Sequence, residues 1–304
     1  MRTQMTDTGQ FGLRGPVRVC ETEREYVYPD RQWVMHTSTI FSPGGNLLEQ
    51  RHRNPDGSHW SMECRYDDGG RLSQKDEANI QGTQLLLYYH YDSFGRLERV
   101  VARSATGTDR VYELYQYDET GRKTVTVYPD PVLRGKLHTT VETAFETSAD
   151  ASSIVTHFDH QDRPWKRLFY DLNGRVERRI LMRYDAAGRL VEDGEAEAEG
   201  IIREDLRRLY GYNAEGRLIE KTMYYYGLWM YRTTFGYNEQ GDIIEERHQH
   251  TGGIIQESGK RDWKTQSRYQ YDDRGNWIER VTENVLGTGD RRLSMIERRR
   301  IDYY

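Results

Sequence analysis

The histidines are the first residues whose type and spacing suggest chemistry. His248 and His250 are two positions apart, so a β-strand would place both on one face, where a transition metal could bind. His157 and His160 form a second, looser pair. Both pairs also fit ordinary exposed strand histidines. The sequence therefore predicts no metal site and no other cofactor.

The carboxylates suggest a second kind of chemistry. A row of aspartates recurs along the chain, which would suit calcium, and paired carboxylates would suit glycoside hydrolysis. A local role in turns explains the recurring aspartates better. The sequence lacks a nucleophile elbow, a zincin helix motif, a P-loop and a dinucleotide-binding glycine fingerprint. We predict no catalytic residue, and a non-enzymatic protein is the favoured interpretation.

Clustered aromatic residues are the third candidate. The segments "YYYGLWMY" (224–231) and "YDDRGNW" (271–277) place aromatic rings beside polar groups, which suits a glycan or a protein partner. The alternative is that these rings pack inside a curled sheet. The predicted binding surface consists of Tyr224, Tyr225, Tyr226, Trp229, Tyr231 and Trp277.

The composition argues against a thick apolar core. Of the 304 residues, 36% are hydrophobic and 31% are charged, and the mean hydropathy is −0.94. The 23 Tyr, 6 Trp and 7 Phe argue against disorder, because disordered segments are poor in aromatic residues. The net charge of −5 comes from interspersed charges, so we expect no nucleic-acid partner, and no apolar run is long enough to span a membrane.

One sequence pattern, Tyr-Asp-x-x-Gly-Arg-Leu, recurs through the chain. Near-complete copies begin at Tyr66, Tyr91, Tyr117, Tyr184 and Tyr212, and looser copies begin at Phe41, Arg53, Phe158, Tyr170, Tyr237 and Tyr271. Most spacings are near 12–14 residues or twice that value. Such regularity indicates a repeat architecture.

Turn chemistry explains the consensus. Asp or Asn accepts a hydrogen bond from the backbone two residues later, and Gly supplies the left-handed residue that completes a type I turn with a bulge. We predict these structural turn residues: Asp67, Gly70, Asp92, Gly95, Asp118, Gly121, Asp185, Gly188, Asn213, Gly216, Asp272 and Gly275. In the copy at Phe158 the glycine is replaced by Asp162, so that turn should be strained or differently shaped.

The segments between the turns are rich in β-branched and aromatic residues, which favours strands. Eleven turns imply roughly twenty strands, and a sheet of more than about ten strands curls or splits. We therefore predict an all-β fold: a repetitive antiparallel hairpin meander that forms a strongly curled sheet, as a shell, a spiral or a barrel-like roll. Rows of Tyr and Arg would stabilise it through cross-strand pairs.

These repeats carry a family resemblance. "YDSFGRLERV", "YDETGRKTV", "YDAAGRLVED" and "YNAEGRLIEK" resemble the YD repeats of bacterial Rhs proteins, Tc-toxin shell components and teneurins. The chain as a whole, from about residue 13 to 304, resembles stand-alone bacterial RHS/YD-repeat proteins. The resemblance implies a spiralling β-sheet and a surface-exposed binding role. Delivery of a toxin is not carried over, because the chain is short for enclosing a folded domain.

Together these observations predict a flexible segment at 1–12 and a single YD-repeat domain at 13–304. The favoured function is a structural or binding scaffold with a glycan or protein partner. The alternatives are a protective shell or companion of a toxin system, and a glycan-active enzyme. The sequence leaves open whether the protein self-associates through its sheet edges and whether Cys20 and Cys64 form a disulfide bond. The sequence shows no signal peptide, so the protein is either cytoplasmic or exported after removal of a leader. Where the pattern fails, at Asp162, Glu192–Gly200 and Tyr224–Tyr231, function is most expected.

Overall fold

The computed structural model describes residues 7–78, 84–103, 107–128, 152–197, 200–250, 262–286 and 288–304. Within these ranges, one short helix, α1, precedes twenty antiparallel strands. The elements are α1 (Asp7–Gln10), β1 (Val17–Val27), β2 (Gln32–Phe41), β3 (Leu47–Arg53), β4 (His59–Tyr66), β5 (Leu72–Ala78), β6 (Gln84–Tyr91), β7 (Leu97–Arg103), β8 (Asp109–Tyr117), β9 (Lys123–Val127), β10 (Ser153–Phe158), β11 (Pro164–Tyr170), β12 (Val176–Tyr184), β13 (Leu190–Ala196), β14 (Ile202–Tyr212), β15 (Leu218–Tyr225), β16 (Leu228–Tyr237), β17 (Ile243–His250), β18 (Trp263–Tyr271), β19 (Trp277–Val285) and β20 (Arg291–Tyr303).

The strands form one closed sheet. Each strand pairs with the next along the chain, and β1 pairs with both β2 and β20, so the meander closes on itself. Twenty strands exceed the number at which barrels begin to leave a central channel. The prediction of an all-β curled meander is confirmed. Of its three forms, the structure adopts the closed barrel, and neither terminal strand is left with an open edge.

Closure gives the sheet an inner and an outer face, and side chains alternate between them. Sixteen hydrophobic side chains are buried among the described residues, in small separate clusters rather than one continuous core. The largest cluster surrounds Phe41 and Val17, which are almost fully buried, where the chain ends meet. The inner face therefore stabilises the barrel locally, strand pair by strand pair.

Part of the segment predicted to be flexible contacts this cluster. The Asp7 carboxylate accepts hydrogen bonds from the backbone N–H of Leu47 (2.6 Å) and from the hydroxyl of Tyr66 (3.2 Å). The Thr8 N–H donates to the Gly45 carbonyl (3.1 Å). Residues 7–13 thus lie against the β2–β3 turn. The division into a segment at 1–12 and a domain at 13–304 stays a prediction.

Candidate binding surface

The two ends of the barrel differ in their turns. Because antiparallel strands alternate in direction, successive turns lie at opposite ends. Nine of the eleven repeat turns lie at one end, which we call the tip rim, and the turns at 54–58 and 171–175 lie at the other, the irregular rim. Repeat copies 25–28 residues apart therefore share a rim, whereas copies 12–14 residues apart alternate between rims.

All eleven turns share one backbone hydrogen-bond pattern. In each, the first N–H donates to the carbonyl four residues later, and the fourth N–H donates back to the first carbonyl. A further turn with these two hydrogen bonds joins Leu286 and Asp290 on the irregular rim. The glycines at 287–289 predict a turn there, but Leu286 in place of Asp sets it outside the repeat consensus. Asp162 has φ of 60°, so the turn at 159–163 keeps the common shape and accepts an unfavourable backbone conformation.

In six of the turns an aspartate organises the arginine four residues later. In the turn at 92–96, Oδ1 of Asp92 accepts bonds from the backbone N–H groups of Phe94 and Arg96, both 2.9 Å long. Its Oδ2 accepts a bond from Nε of Arg96 at 2.8 Å. The aspartates are therefore engaged within their own turns, which leaves them little capacity for calcium.

The tyrosine and arginine of the repeat join one hairpin to the next. The Tyr91 hydroxyl donates to the carbonyl of Leu72, in the preceding repeat, and the ring of Tyr91 is covered by the Arg71 guanidinium at 4.5 Å. The tyrosines that make the same bond, over 2.5–2.9 Å, are Tyr66, Tyr91, Tyr117, Tyr184, Tyr212 and Tyr237. Among the described residues these tyrosine bonds lie at the tip rim, where the consensus forms an interlock between hairpins.

The interlock differs at the copy that begins at Phe158, where β9 and β10 meet. Phe158 takes the place of the tyrosine and has no hydroxyl to donate, and Lys123 lies over its ring at 4.3 Å. Lys123 also pairs with Asp162 at 2.8 Å. The strands at this junction, β9 and β10, pair over only four residues each. Among the described residues, β13–β14 and β17–β18 also have four residue pairs, and no strand pairing in the sheet has fewer.

On the irregular rim, the β15–β16 hairpin exposes aromatic side chains. Its two-residue turn consists of Tyr226 and Gly227, with φ of 49° and 73°. Turns with two positive φ values favour Asn or Gly, so a tyrosine there is unusual and strained. Tyr226 is 68% exposed and Leu228 is 52% exposed, and the neighbouring Tyr225 and Trp229 are also exposed. We call these four residues the aromatic hairpin.

The remaining predicted surface residues lie elsewhere. Tyr224 is half-buried beside Arg207, whereas Tyr231 stacks on His248 with ring centroids 5.2 Å apart, and burial raises the pKa of Tyr231. Trp277 lies towards the tip rim, at the start of β19, under the Arg299 guanidinium. The structure therefore brings Tyr225, Tyr226 and Trp229 together and separates Trp277 from them.

Other apolar side chains are exposed along the same rim. Going round the sheet, the hairpins on either side of the aromatic hairpin contribute Leu172, Ile201, Trp263, Leu293 and Tyr28. Neighbouring hairpins are about 10 Å apart, since strands are about 4.8 Å apart. These residues and the aromatic hairpin form an arc of exposed apolar side chains. Sequence reasoning missed the arc because its members come from six separate hairpins.

The histidine pairs are engaged with aromatic and hydroxyl groups. The rings of His248 and His250 are 4.5 Å apart, and His248 stacks on Trp263 at 5.2 Å and bonds Thr233 at 2.7 Å. His157 lies against Trp165, and burial lowers the pKa of His157. Within the described ranges, no group of three His, Cys, Asp or Glu residues is arranged to hold a metal.

A cavity lies on the inner face where β20 meets β1, with a volume of about 540 Å³. It contains two carboxylates, Glu77 and Glu297, and each is ion-paired: Glu77 with Lys75, and Glu297 with Arg24 and Arg280. Cys20 also lines it, and Cys20 and Cys64 are free thiols, so they form no bond with each other. Burial raises the pKa of Cys64 to about 11.

No protein-family model matches the chain, and no curated protein matches it. Among solved structures, a Tc holotoxin pore from Photorhabdus luminescens aligns at 12% identity with a TM-score of 0.36, over 84% of this chain and 15% of its own. The TcdB2–TccC3 complex aligns at 11% identity with a TM-score of 0.36, over 90% and 18%. A porin-like protein from Bacteroides uniformis aligns at 10% identity with a TM-score of 0.39, over 94% and 97%.

The chain thus spans less than a fifth of the length of the toxin chains that it resembles. Among the described residues, no helix has the length and apolar character needed to cross a membrane.

Proposed function

We propose that this chain is a non-enzymatic YD-repeat β-scaffold that binds a protein partner through the aromatic hairpin on its irregular rim. The observation that carries the proposal is the exposure of Tyr225, Tyr226, Leu228 and Trp229 on a single strained turn. Exposed apolar patches of this kind are costly to keep in water and often mark interaction sites. At the tip rim, in contrast, the repeat tyrosines contact the neighbouring hairpin, as Tyr91 does through its hydroxyl and its ring.

The chemistry of the hairpin supports a protein partner. Tyr and Trp are enriched among the residues that contribute most to protein–protein affinity, and an apolar neighbour such as Leu228 fits the dry centre of such an interface. Strained backbone conformations also cluster at binding sites. The hairpin therefore combines the side chains and the backbone geometry that are typical of a recognition site.

A glycan is the less favoured ligand. Sugars stack on flat aromatic platforms, whereas the Tyr225 and Tyr226 rings meet at 68° with their centroids 4.3 Å apart. The edge of one ring covers the face of the other. The two rings therefore form a protruding apolar surface, which suits insertion into a pocket on a protein partner better than stacking on a sugar.

Site-specific photocrosslinking tests the proposal. A photoreactive phenylalanine analogue is introduced at Tyr226, and the purified protein is irradiated in extract of the source organism. The matched control carries the analogue at Phe94, which is 81% exposed on the tip rim. We expect a discrete crosslinked protein from position 226 and none of the same mass from position 94.

The same crosslinking with Trp229→Ser should remove the product, because Trp229 belongs to the same surface. Equal products from both positions would contradict the proposal. Binding to a glycan array that depends on Trp229, without a crosslinked protein, would replace the protein partner with a glycan.

Closure of the sheet favours one second candidate, a companion or protective shell of a toxin system. A ring of twenty strands leaves an inner face that a second polypeptide could occupy. Co-purification with the product of a neighbouring toxin gene would support it, and a crosslink from an inner-face position such as Tyr231 would locate the contact. If neither co-purification nor an inner-face crosslink is found, only binding through the aromatic hairpin remains as the proposed function.

A further inference from the structure

The inner cavity at the β20–β1 junction has features that neither the interlock nor the aromatic hairpin explains. Its walls come from the inner faces of β1 to β5 and β20 and from the segment after α1. At about 540 Å³ it falls within the size range of small-molecule sites, about 300–1,000 Å³. The chain closes its sheet at this position and still leaves space inside.

Arg299 is the unusual residue in this cavity. Its guanidinium carbon lies 3.4 Å from the centroid of the Trp277 ring, so one face of the group is covered. Its Nε and Nη1 atoms are buried and have no hydrogen-bond partner among the described residues. Buried polar groups are nearly always paired, because leaving one unpaired is costly. Arg299 therefore lacks an acceptor.

The surrounding charges do not supply one. Glu297 is 2% exposed and already accepts bonds from Arg24, over 2.6 and 2.8 Å, and from Arg280. Lys75 and Glu77 neutralise each other. Arg24 and Arg280 thus already occupy the buried Glu297 carboxylate, and burial lowers the pKa of Arg299.

The rest of the lining is of two kinds. Hydroxyl, amide and imidazole groups of Thr22, Thr37, Gln50 and His52 border the cavity beside Arg299. Apolar side chains complete the wall: Phe11, Leu13, Met35, Trp60 and Met62. A bound molecule would therefore contact both a cationic, hydrogen-bonding region and an apolar region.

We propose that this cavity binds a small amphipathic organic anion, with its carboxylate or phosphate head on Arg299 and its apolar body against Trp60 and Met62. Arginine suits this role because its planar group is always charged and recognises both anions. The head group supplies Arg299 with the counter-charge that Glu297, already paired with Arg24 and Arg280, does not provide. The site is separate from the aromatic hairpin and does not depend on it.

Isothermal titration calorimetry tests the site with three probes that share one apolar body: octanoate, octyl phosphate and octanol. We expect at least one of the two anions to bind one molecule per chain, and the better of them identifies the preferred head. Octanol should bind at least about tenfold more weakly than the better anion, because it cannot make a charge-assisted hydrogen bond with Arg299.

Arg299→Gln should lower the affinity for the anion by about tenfold or more and leave the affinity for octanol unchanged. The matched control is Arg300→Gln, since Arg300 is the next residue, lies on the outer face and is 78% exposed at its side chain. Arg300→Gln should bind as the unmodified chain does. Removing a buried, unpaired charge should leave the melting temperature of Arg299→Gln equal or higher.

If Arg299→Gln fails to fold, Arg299→Lys keeps the charge and is expected to retain anion binding at reduced affinity. The proposal is overturned if neither anion binds the unmodified chain at millimolar concentration, if octanol binds as well as the anions, or if the Arg299 variants bind the anions unchanged.

Discussion

Two neighbouring turns, 171–175 and 185–189, show how the rims differ. Both have the same backbone pattern, with a first hydrogen bond of 2.9 Å, and both begin with an aspartate that accepts from the arginine N–H four residues later. The turn at 185–189 lies on the tip rim, where Arg189 covers the Tyr212 ring at 5.0 Å and Tyr212 donates to the carbonyl of Leu190. The turn at 171–175 lies on the irregular rim and instead exposes Leu172, which is 89% accessible.

The difference teaches that the turn and the interlock are separable. The Asp-x-x-Gly turn reverses the chain at either rim, but the Tyr and Arg contacts to the next hairpin occur at the tip rim. One rim therefore holds successive hairpins together. The other is released from that task and exposes apolar side chains, as at the aromatic hairpin.

The largest expected effect comes from the turn glycines of the tip rim. Gly70 has φ of 76° and open space around its Cα, so Gly70→Ala adds no clash and isolates the backbone cost. We expect a loss of about 1–2 kcal/mol in the free energy of unfolding, measured with urea. Gly44→Ala is the control, because Gly44 has no positive φ and its nearest neighbour is 3.8 Å away. Equal losses at the two glycines would contradict the account.

The second-largest expected effect is the loss of stability when one tyrosine hydroxyl is removed, which should differ between the two rims. Tyr91→Phe loses the bond to the Leu72 carbonyl and should cost about 1 kcal/mol. Tyr226→Phe at the irregular rim should stay within about 0.5 kcal/mol, because the ring is exposed. Urea denaturation of both variants measures the difference, and a larger loss at Tyr226 would reverse the assignment of roles.

The cation–π contact should have a smaller effect. Arg96 covers the Tyr117 ring at 4.2 Å. A double-mutant cycle with Arg96→Met and Tyr117→Leu should give a coupling of about 0.5–1 kcal/mol. The cycle removes the separate effect of the Arg96 bond to Asp92. A coupling of zero would mean that the stacked pair does not join the hairpins.

The smallest effect is a dependence on pH. The Thr120 hydroxyl, together with nearby backbone N–H groups, lowers the pKa of Asp118 from 3.8 to about 2. A carboxyl whose pKa is depressed on folding stabilises the fold above its unfolded pKa, and this contribution is lost as the pH falls towards about 2. The difference in stability between the unmodified chain and Asp118→Asn should be constant above about pH 5 and should decrease as the pH falls through about 2. If the difference stayed constant at all pH values, the Asp118 carboxylate would not stabilise the turn, contrary to this prediction.

The sequence predicts the repeat well because turn chemistry is local. The spacing of Asp and Gly predicts the turns and roughly twenty strands. It also identifies Asp162 as an exception, although that residue keeps the common turn shape. Closure was one of three predicted forms, since it depends on accumulated twist and on pairing between β1 and β20, residues that are far apart in sequence. The interlock partner of each tyrosine is a backbone carbonyl, which leaves no trace in the sequence.

The candidate site was predicted less completely. The aromatic segment at 224–231 stood out by composition, and its exposure at Tyr226 follows from the two-residue turn. Trp277 appeared equivalent from its neighbours in the sequence, but the bulge opposite Tyr271 places it under Arg299 near the other rim. The cavity around Arg299 combines residues from both ends of the chain and could not be found by spacing.

Hydrogen exchange of the two matched turns tests the central claim most directly. The amides of Asp171 and Gly174 and those of Asp185 and Gly188 make the same bonds in the same turn. If the interlock holds the tip rim, the amides of Asp185 and Gly188 should exchange at least about tenfold more slowly than those of Asp171 and Gly174, each relative to its intrinsic rate. The reason is that opening the turn at 185–189 also breaks the contacts of Arg189 and Tyr212. Equal protection, or slower exchange at 171 and 174, would contradict the claim.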